Sequence, residues 1–283
     1  ELGLTRKQGK KCTSGEILSK NANRKKGNAN RNPSTFRVFS PLYFCSVGHI
    51  GKSLLCYPSF LNKPSIYNKA MYIEKINGPE DVKKLTVDEM TVMAGEMREA
   101  LLKRASIHGG HFGPNLGMAE AIIALHYVFN SPVDKFVFDV SHQSYCHKIL
   151  TGRKEAFIFE DKYDDVSGYA NPDESEHDLF NIGHTSTSVS LASGLAKARD
   201  LNGGKENVIA VIGDGSLSGG EALEGLDFAS ELNSNLIIVV NDNDMSIAEN
   251  HGGLYKNLKK LRDTDGKAEC NLFKSMGLDY VFV

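Results

Sequence analysis

Two short, strongly apolar runs constrain the fold of this chain more than any other sequence feature. Residues 207–212 (NVIAVI) and 236–240 (LIIVV) have the length of strands, and residues 221–231 between them have the pattern of a helix. Residues 135–140 (KFVFDV) form a third strand-length segment. Strands without polar alternation are buried on both faces, which is typical of a parallel sheet covered by helices on each side. The sequence therefore predicts an α/β fold, a doubly wound parallel sheet.

The segments around these strands carry helix signals. Thr86 and Glu89 have the spacing of a capping box, which predicts a helix from there to about residue 107. Residues 117–129 and the small-residue segment 186–200 are predicted as further helices, and residues 280–283 as a last strand. Helices that alternate with strands are what the doubly wound fold requires.

The first 70 residues differ from the rest in charge and pattern. They contain 13 Lys or Arg and 2 Asp or Glu, whereas residues 71–283 contain 20 and 33. Residues 36–60 mix aromatic residues and serine with no period of a helix or a strand, so neither is predicted there. We therefore expect residues 1–70 to be a basic extension, disordered or not native to the protein, and residues 71–283 to form the domain. An organelle transit segment is the alternative for the basic part.

Composition excludes several classes of protein. The acidic region after residue 70 is poorly suited to nucleic acid, because phosphate contacts need Lys and Arg. No run approaches the roughly 18 apolar residues of a membrane span, so no membrane partner is expected. Five cysteines without a CxxC spacing do not suggest a disulfide framework.

Polar clusters follow the two apolar strands directly. Residues 213–216 (GDGS) come after the first strand and residues 241–245 (NDNDM) after the second. Adjacent parallel strands would bring both clusters to one edge of the sheet, where ligands of such folds bind. Asp214 and Asn243 would then offer oxygens to a hard cation such as Mg²⁺, which usually shares its ligands with a phosphate. The glycines beside Asp214 would let the backbone approach a diphosphate.

Two other interpretations of the GDGS segment are weaker. The dinucleotide fingerprint GxGxxG fails because its third glycine position holds Ser218, with Gly219 one residue late. A carboxylate at Asp214 would also repel a pyrophosphate in the absence of a cation. Ordinary glycine turns remain open for a single cluster, but two clusters at matched strand ends favour the site for a cation and a diphosphate.

The clusters resemble the diphosphate motif of thiamine-diphosphate enzymes, which opens with GDG and closes with an asparagine-containing segment. Further blocks resemble the N-terminal domain of the 1-deoxy-D-xylulose-5-phosphate synthase family, over about residues 71–283 and not before. These blocks are residues 110–112 (GHF), 116–117 (LG), 125–127 (LHY), 139–143 (DVSHQ), 147–153 (HKILTGR), 174–178 (ESEHD), 183–188 (GHTSTS) and 241–247 (NDNDMSI). Related transketolases share the GDG element without the full set.

The resemblance implies roles for individual residues. Mg²⁺ would be bound by Asp214, Asn243 and the backbone carbonyl of Met245. His111 would be the catalytic histidine, which suits imidazole because its titration range includes neutral pH. Thiamine diphosphate would be contacted by seven residues: His142, Gly183, His184, Thr185, Gly215, Ser216 and Asn243.

The resemblance also implies an activity. A transketolase-type transferase of this family condenses pyruvate with D-glyceraldehyde 3-phosphate with loss of CO₂, the first step of non-mevalonate isoprenoid synthesis, which also supplies thiamine synthesis. The expected protein is a cytoplasmic homodimer when full length, or a plastid-type one if residues 1–70 are a transit segment. Residues 71–283 would be truncated before the pyrimidine-binding and C-terminal domains, and the fragment inactive. A split transketolase subunit and a non-catalytic cofactor-binding module are the alternatives.

Several side chains allow a second interpretation. His126 lies in an apolar helix and is predicted to be structural. His142, Cys146 and His147 have zinc-like spacing but lack a fourth ligand. Serines beside His184 could suggest a hydrolase, but no GxSxG segment is present. The chain departs from the family at residue 141, where Ser replaces the usual Gly, and Ser144 stands where a small residue is usual.

Overall fold

A five-stranded parallel sheet organises the chain. The structure is a computed structural model that describes residues 35–39, 71–245 and 249–283. The sheet order is β2-β3-β4-β1-β5, and every neighbouring pair is parallel. The strands are β1 (Thr35–Phe39), β2 (Lys135–Phe138), β3 (Val208–Gly213), β4 (Leu236–Asn241) and β5 (Asp279–Phe282).

Helices and helical turns connect the strands. The long ones are α3, α5, α8, α10 and α11, and the others are single turns. In chain order they are α1 (Tyr72–Lys75), α2 (Pro79–Val82), α3 (Val87–His108), α4 (Gly113–Leu116), α5 (Ala119–Val128), α6 (Tyr145–Lys148), a π-helical turn (Ile149–Arg153), α7 (Glu155–Ile158), a 3-10 turn (Glu160–Asp165), α8 (Ser188–Leu201), α9 (Asp214–Leu217), α10 (Gly220–Leu232), α11 (Gly253–Asp263) and α12 (Leu272–Ser275).

Hydrophobic cores lie on both faces of the sheet. Along β3, Ile209 and Val211 enter one core and Val208, Ala210 and Ile212 enter the other. The first core contains residues of α1 to α7, and the second contains residues of α8 to α12. Because successive residues of a strand point to opposite faces, an unbroken apolar run is what a sheet covered on both sides needs. The predicted doubly wound α/β fold is confirmed.

Most predicted elements are present, with small differences at their ends. The capping box at Thr86 is formed, with reciprocal bonds to Glu89, and it opens α3. The helix predicted over residues 117–129 is α5, which begins at Ala119 and ends at Val128, and the short α4 precedes the predicted range. None of the helices among the described residues has the length and apolar character needed to cross a membrane.

The strand β1 was not expected from the sequence. It lies between β4 and β5, pairing Val38 with Val240 and with Phe282. The prediction of neither helix nor strand for this part of residues 36–60 is therefore wrong. A five-residue segment gains its strand conformation from two hydrogen-bonded neighbours distant in the sequence, which a local pattern cannot reveal. The rest of residues 1–70 lies outside the described residues, so the proposed extension stays a prediction.

Candidate functional site

Three strands bring acidic residues to the same edge of the sheet. The register pairs Phe138 with Val211 and Gly213 with Asn241, so β2, β3 and β4 end side by side. Asp139, Asp214 and Asp242 each follow one of these strands or begin the next helix, and all three are buried. The predicted meeting of the GDGS and NDNDM clusters at one edge is confirmed.

The carboxyl group of Asp214 is strongly affected by its surroundings at this edge. Its side chain is buried, and its Oδ2 accepts a hydrogen bond of 2.8 Å from the Asn250 amide. Burial first, and the neighbouring Asp242 second, raise the pKa of Asp214 to about 7. A cation bound to this carboxylate would lower the pKa of Asp214 again, since it favours the ionised form.

Asp242 has an arginine as its partner. Arg262 of α11 binds Asp242 at 2.5 Å through Nη1 and Asp244 at 2.7 Å through Nη2. The guanidinium is therefore directed to the residues that follow β4, while Asp214 receives the neutral amide of Asn250.

Asn243 lies at the same edge but points its oxygen to its own backbone. The Met245 amide donates to Asn243 Oδ1 at 3.1 Å, and both residues are exposed. Met245 also forms an isolated antiparallel bridge with Glu249. Among the described residues, no group of three or more His, Cys, Asp or Glu side chains is arranged to hold a metal ion. Beside Asp214, the side-chain oxygen of Asn243 and backbone carbonyls are oxygen donors that the described residues offer at this edge.

Asp139 shapes the turn that contains Gly183, His184 and Thr185. Its two carboxylate oxygens accept hydrogen bonds of 2.9 Å from the backbone amides of Ser186 and Ser188. Asp139 thereby stabilises Ser186 in a left-handed conformation with φ of 72°. The three residues of the turn are exposed. Sequence analysis missed this role, although the position of Asp139 at a strand end was a usable signal.

The same turn contacts the GDGS segment. Ser186 Oγ donates to the carbonyl of Ser216 at 2.7 Å. A Cβ atom at Gly219 would lie only 1.9 Å from Ser186 Oγ, so that position needs glycine. Gly215 and Ser216 belong to α9, beside the turn. The cofactor-contacting residues predicted at 183–185 and 215–216 therefore come from two segments that touch.

His111 lies in the loop between α3 and α4 and is surrounded by aromatic rings. Its backbone amide donates to Tyr145 Oη at 3.2 Å, and its Nδ1 lies 3.5 Å from the same oxygen. Its Nε2 lies 3.5 Å from Tyr169 Oη. The His142 ring is perpendicular to it, with centroids 5.6 Å apart. Two histidines predicted separately from the sequence are thus in contact.

Asn115 fixes the two histidine loops to each other. It is fully buried, and its Nδ2 donates to the carbonyls of His111 at 2.5 Å and His142 at 2.7 Å. Its Oδ1 accepts from the Tyr145 amide at 2.8 Å. Sequence analysis did not find Asn115, because its three partners are backbone groups up to 30 residues away.

One imidazole nitrogen of His142 has no hydrogen-bond partner in the described part of the chain. Burial, and then the nearby His111, lower the pKa of His142, so the ring favours its neutral form. Within the described residues, its buried Nδ1 makes no hydrogen bond. Unpaired buried polar atoms are rare and costly, which indicates that a ligand group completes this position.

Three residues of the alternative zinc and hydrolase sites, Cys146, His147 and Ser186, have other partners. Cys146 is fully buried, and burial raises the pKa of its thiol to about 12. His147 bonds to His126 and Asp178. Ser186 bonds to the carbonyl of Ser216. His126 is buried and stacked on His147, which agrees with the structural role expected for it.

Comparison with known proteins identifies the family. The sequence model described as 1-deoxy-D-xylulose-5-phosphate synthase matches residues 73–281. The synthase of Carboxydothermus hydrogenoformans is 51% identical over 195 residues, which cover 69% of this chain and 31% of the relative. The synthase of Chlorobium phaeovibrioides is 44% identical over 208 residues, which cover 73% of this chain and 33% of the relative. The chain thus spans about a third of these relatives' length.

A solved structure supports the fold. Transketolase from Campylobacter jejuni matches with a TM-score of 0.52 and 16% sequence identity, covering 70% of this chain and 38% of that chain. At this identity the likeness concerns the fold, a parallel sheet with helices on both faces. The family match extends from α1 to β5 and includes the strand ends and the histidine loops. The chain therefore belongs to the 1-deoxy-D-xylulose-5-phosphate synthase family.

Proposed function

We propose that this chain is the diphosphate-binding part of a thiamine-diphosphate-dependent 1-deoxy-D-xylulose-5-phosphate synthase. The carrying observation is Asp214, a buried carboxylate whose pKa is raised to about 7 at the edge where β3 and β4 end. A carboxylate buried beside a second one is costly unless a cation or a proton compensates it. Membership of the synthase family suggests thiamine diphosphate as the cofactor whose diphosphate such a cation would bind.

The residues present fit Mg²⁺ and a diphosphate. Asp214, Asn243 and the Met245 carbonyl would hold the ion, since Mg²⁺ prefers oxygen ligands and shares them with phosphates. Gly215 and Ser216, at the start of α9, would face the diphosphate with their backbone amides.

A second set of residues would contact the rest of thiamine diphosphate. It consists of His142, whose Nδ1 makes no hydrogen bond within the described residues, and of Gly183, His184 and Thr185 in the exposed turn. When bound, thiamine diphosphate supplies the electron sink for decarboxylating and joining carbonyl compounds, while the protein binds and orients.

His111 would move protons during the reaction. A histidine ring nitrogen can both accept and return a proton, which is the role of a general acid and base. Tyr145 and Tyr169 flank its two nitrogens at 3.5 Å and limit its rotation. The proposed substrates are pyruvate and D-glyceraldehyde 3-phosphate, and the proposed complete enzyme is a cytoplasmic homodimer.

Isothermal titration calorimetry tests the proposal on the 283-residue chain. Thiamine diphosphate is titrated at millimolar concentration with and without Mg²⁺. We expect Mg²⁺-dependent binding that Asp214→Asn reduces by at least about tenfold, since it removes the only charged metal ligand of the proposed set. Glu224→Gln, a carboxylate change on the exposed face of α10, should leave binding unchanged. Absence of Mg²⁺-dependent binding, or equal binding by Asp214→Asn, would contradict the proposal.

A further inference from the structure

Two sequence blocks, residues 147–153 and 174–178, have no role in the site described above. The structure brings them together as a buried charged cluster. Lys148 and Arg153 come from the first block, and Glu174 and Asp178 from the second. Charged side chains are almost never fully buried unless they are paired, so an arrangement of two cations and two anions needs an explanation.

Lys148 and Glu174 hold the start of the following segment. The Lys148 ammonium is fully buried, bonds to Glu174 at 2.5 Å and donates to the Ser167 carbonyl at 3.0 Å. The other oxygen of Glu174 accepts from the Ser167 amide at 2.7 Å. Both backbone groups of Ser167 are thereby bound by this pair.

Arg153 and Asp178 hold the next residues. Arg153 binds Asp178 through two nitrogens, at 2.6 and 3.1 Å. Asp178 also accepts from the Asn171 amide at 2.9 Å and bonds to His147 Nε2 at 3.1 Å. Since His147 Nε2 must donate to this carboxylate, its Nδ1 is the acceptor for His126 Nε2 at 2.9 Å.

Ser141 adds a neutral attachment. It has a φ of 66°, a left-handed conformation that favours glycine. Its Oγ donates to the Ile182 carbonyl at 2.7 Å and accepts from the Ala170 amide at 2.9 Å. The side chain thus makes two hydrogen bonds that glycine could not make at this strained position.

These attachments surround a residue that touches the candidate catalytic histidine. Tyr169 lies between the bound residues Ser167 and Asn171, with its ring centroid 5.2 Å from that of His111. Tyr169 is itself 38% exposed, so its position depends on the backbone on either side more than on its own burial.

We propose that Ser141, Lys148, Arg153, Glu174 and Asp178 are positioning residues that hold segment 167–182 so that Tyr169 stays in contact with His111, its Oη 3.5 Å from Nε2. We call these five residues the buried anchor. The consequence for catalysis rests on the proposed function, whereas the placement of Tyr169 on His111 does not.

The variants must loosen the segment without unfolding the chain. Removing one member of a buried ion pair leaves an uncompensated charge, whereas replacing both members by apolar residues is often tolerated. The double variant Lys148→Met/Glu174→Met therefore removes the Ser167 attachments while leaving no unpaired charge at that position. Ser141→Gly is the milder change, since it removes two neutral hydrogen bonds and relieves the left-handed strain.

Nuclear magnetic resonance of the chain without cofactor provides the test. The ring of Tyr169 shifts the resonances of the His111 imidazole, and Tyr169→Leu defines the position without it. Glu176→Met is the matched control, because Glu176 is an exposed carboxylate between Glu174 and Asp178. Hydrogen exchange of the Ser167, Ala170 and Asn171 amides is followed in the same samples.

We expect the double variant to exchange the Ser167 amide about tenfold faster or more, and its His111 signals to move toward those of Tyr169→Leu. Ser141→Gly should do the same for Ala170, with a smaller His111 shift, and Glu176→Met should do neither. His111 signals that stay unchanged while the amides exchange faster would overturn the inference. If the double variant unfolds, the inference is overturned by Ser141→Gly instead, should its Ala170 amide exchange faster while its His111 signals stay as in the wild type. Cofactor binding plays no part in this measurement. Failure of the inference is therefore distinguishable from failure of the proposed function.

Discussion

Replacing Asp214 by asparagine is expected to make the cofactor-free chain more stable. Asparagine has nearly the same shape, and its carbonyl oxygen can still accept the bond from Asn250, which is 2.8 Å long at Asp214. What the substitution removes is a buried negative charge next to Asp242. A residue proposed to bind a cation should therefore destabilise the fold while the cation is absent.

The magnitude follows from the pKa of Asp214, which burial and Asp242 raise from 3.8 to about 7. Between these values the unfolded chain has lost the proton that the folded chain still binds, so stability falls as the pH rises from about 4 to 7. Each pKa unit corresponds to about 1.4 kcal/mol, which gives at most about 4 kcal/mol. Gly213 and Gly215 beside it are partly exposed, and solvent screening reduces the expected effect to about 2 kcal/mol.

Urea denaturation at several pH values measures this difference. As the pH rises from about 4 to 8, the difference in unfolding free energy between Asp214→Asn and the wild type should grow by about 2 kcal/mol in favour of the variant. Glu224→Gln on the exposed face of α10 serves as the control and should follow the wild type. Equal pH dependence of Asp214→Asn and the wild type, or an asparagine variant less stable near pH 8, would refute the electrostatic reasoning.

Three further substitutions test other parts of the structure. Burial, and then His147, keep the pKa of His126 well below 6.5, so the unfolded chain takes up that proton first as the pH falls. The unfolding free energy of the wild type should therefore fall by up to about 1.4 kcal/mol per pH unit between about pH 6.5 and 5 because of His126. In His126→Phe this fall should be absent, so a plot of unfolding free energy against pH should be flatter. Asn115→Leu leaves three backbone groups without their partner and should cost at least about 3 kcal/mol in urea denaturation, against no change for the exposed Asn181→Leu. Asp139→Asn can no longer accept from both Ser186 and Ser188, and hydrogen exchange of one of these amides should accelerate about tenfold or more.

The sequence predicts those parts of the fold that local patterns encode. The apolar residues of β3 and β4 indicate strands buried on two faces, and the polar residues after them, Asp214 included, lie at the strand ends where ligands bind. The strand β1 is beyond such reasoning, because its pairing with β4 and β5 joins segments about 200 residues apart in the chain.

The supporting residues of the site are also hidden from local patterns. Asn115 and Asp139 act on backbone amides and carbonyls of remote loops, 27 residues away for the His142 carbonyl and 47 for the Ser186 amide. Neither contact changes the periodicity or composition around the residue that makes it. A buried asparagine in a short helix such as α4 is a sequence signal only once the loops that it joins are known.

The partners of the residues at the acidic edge explain why the pKa of Asp214 is raised. Arg262 binds Asp242 and Asp244, whereas Asp214 receives a neutral amide from Asn250. An arginine facing Asp214 would lower its pKa and stabilise the cofactor-free chain, but it would occupy the position that a cation needs. The neutral partner leaves that position electrostatically available. Added Mg²⁺ with thiamine diphosphate should therefore stabilise the wild type and leave Asp214→Asn almost unchanged, so the order of stability of the two chains reverses when the ligands are present.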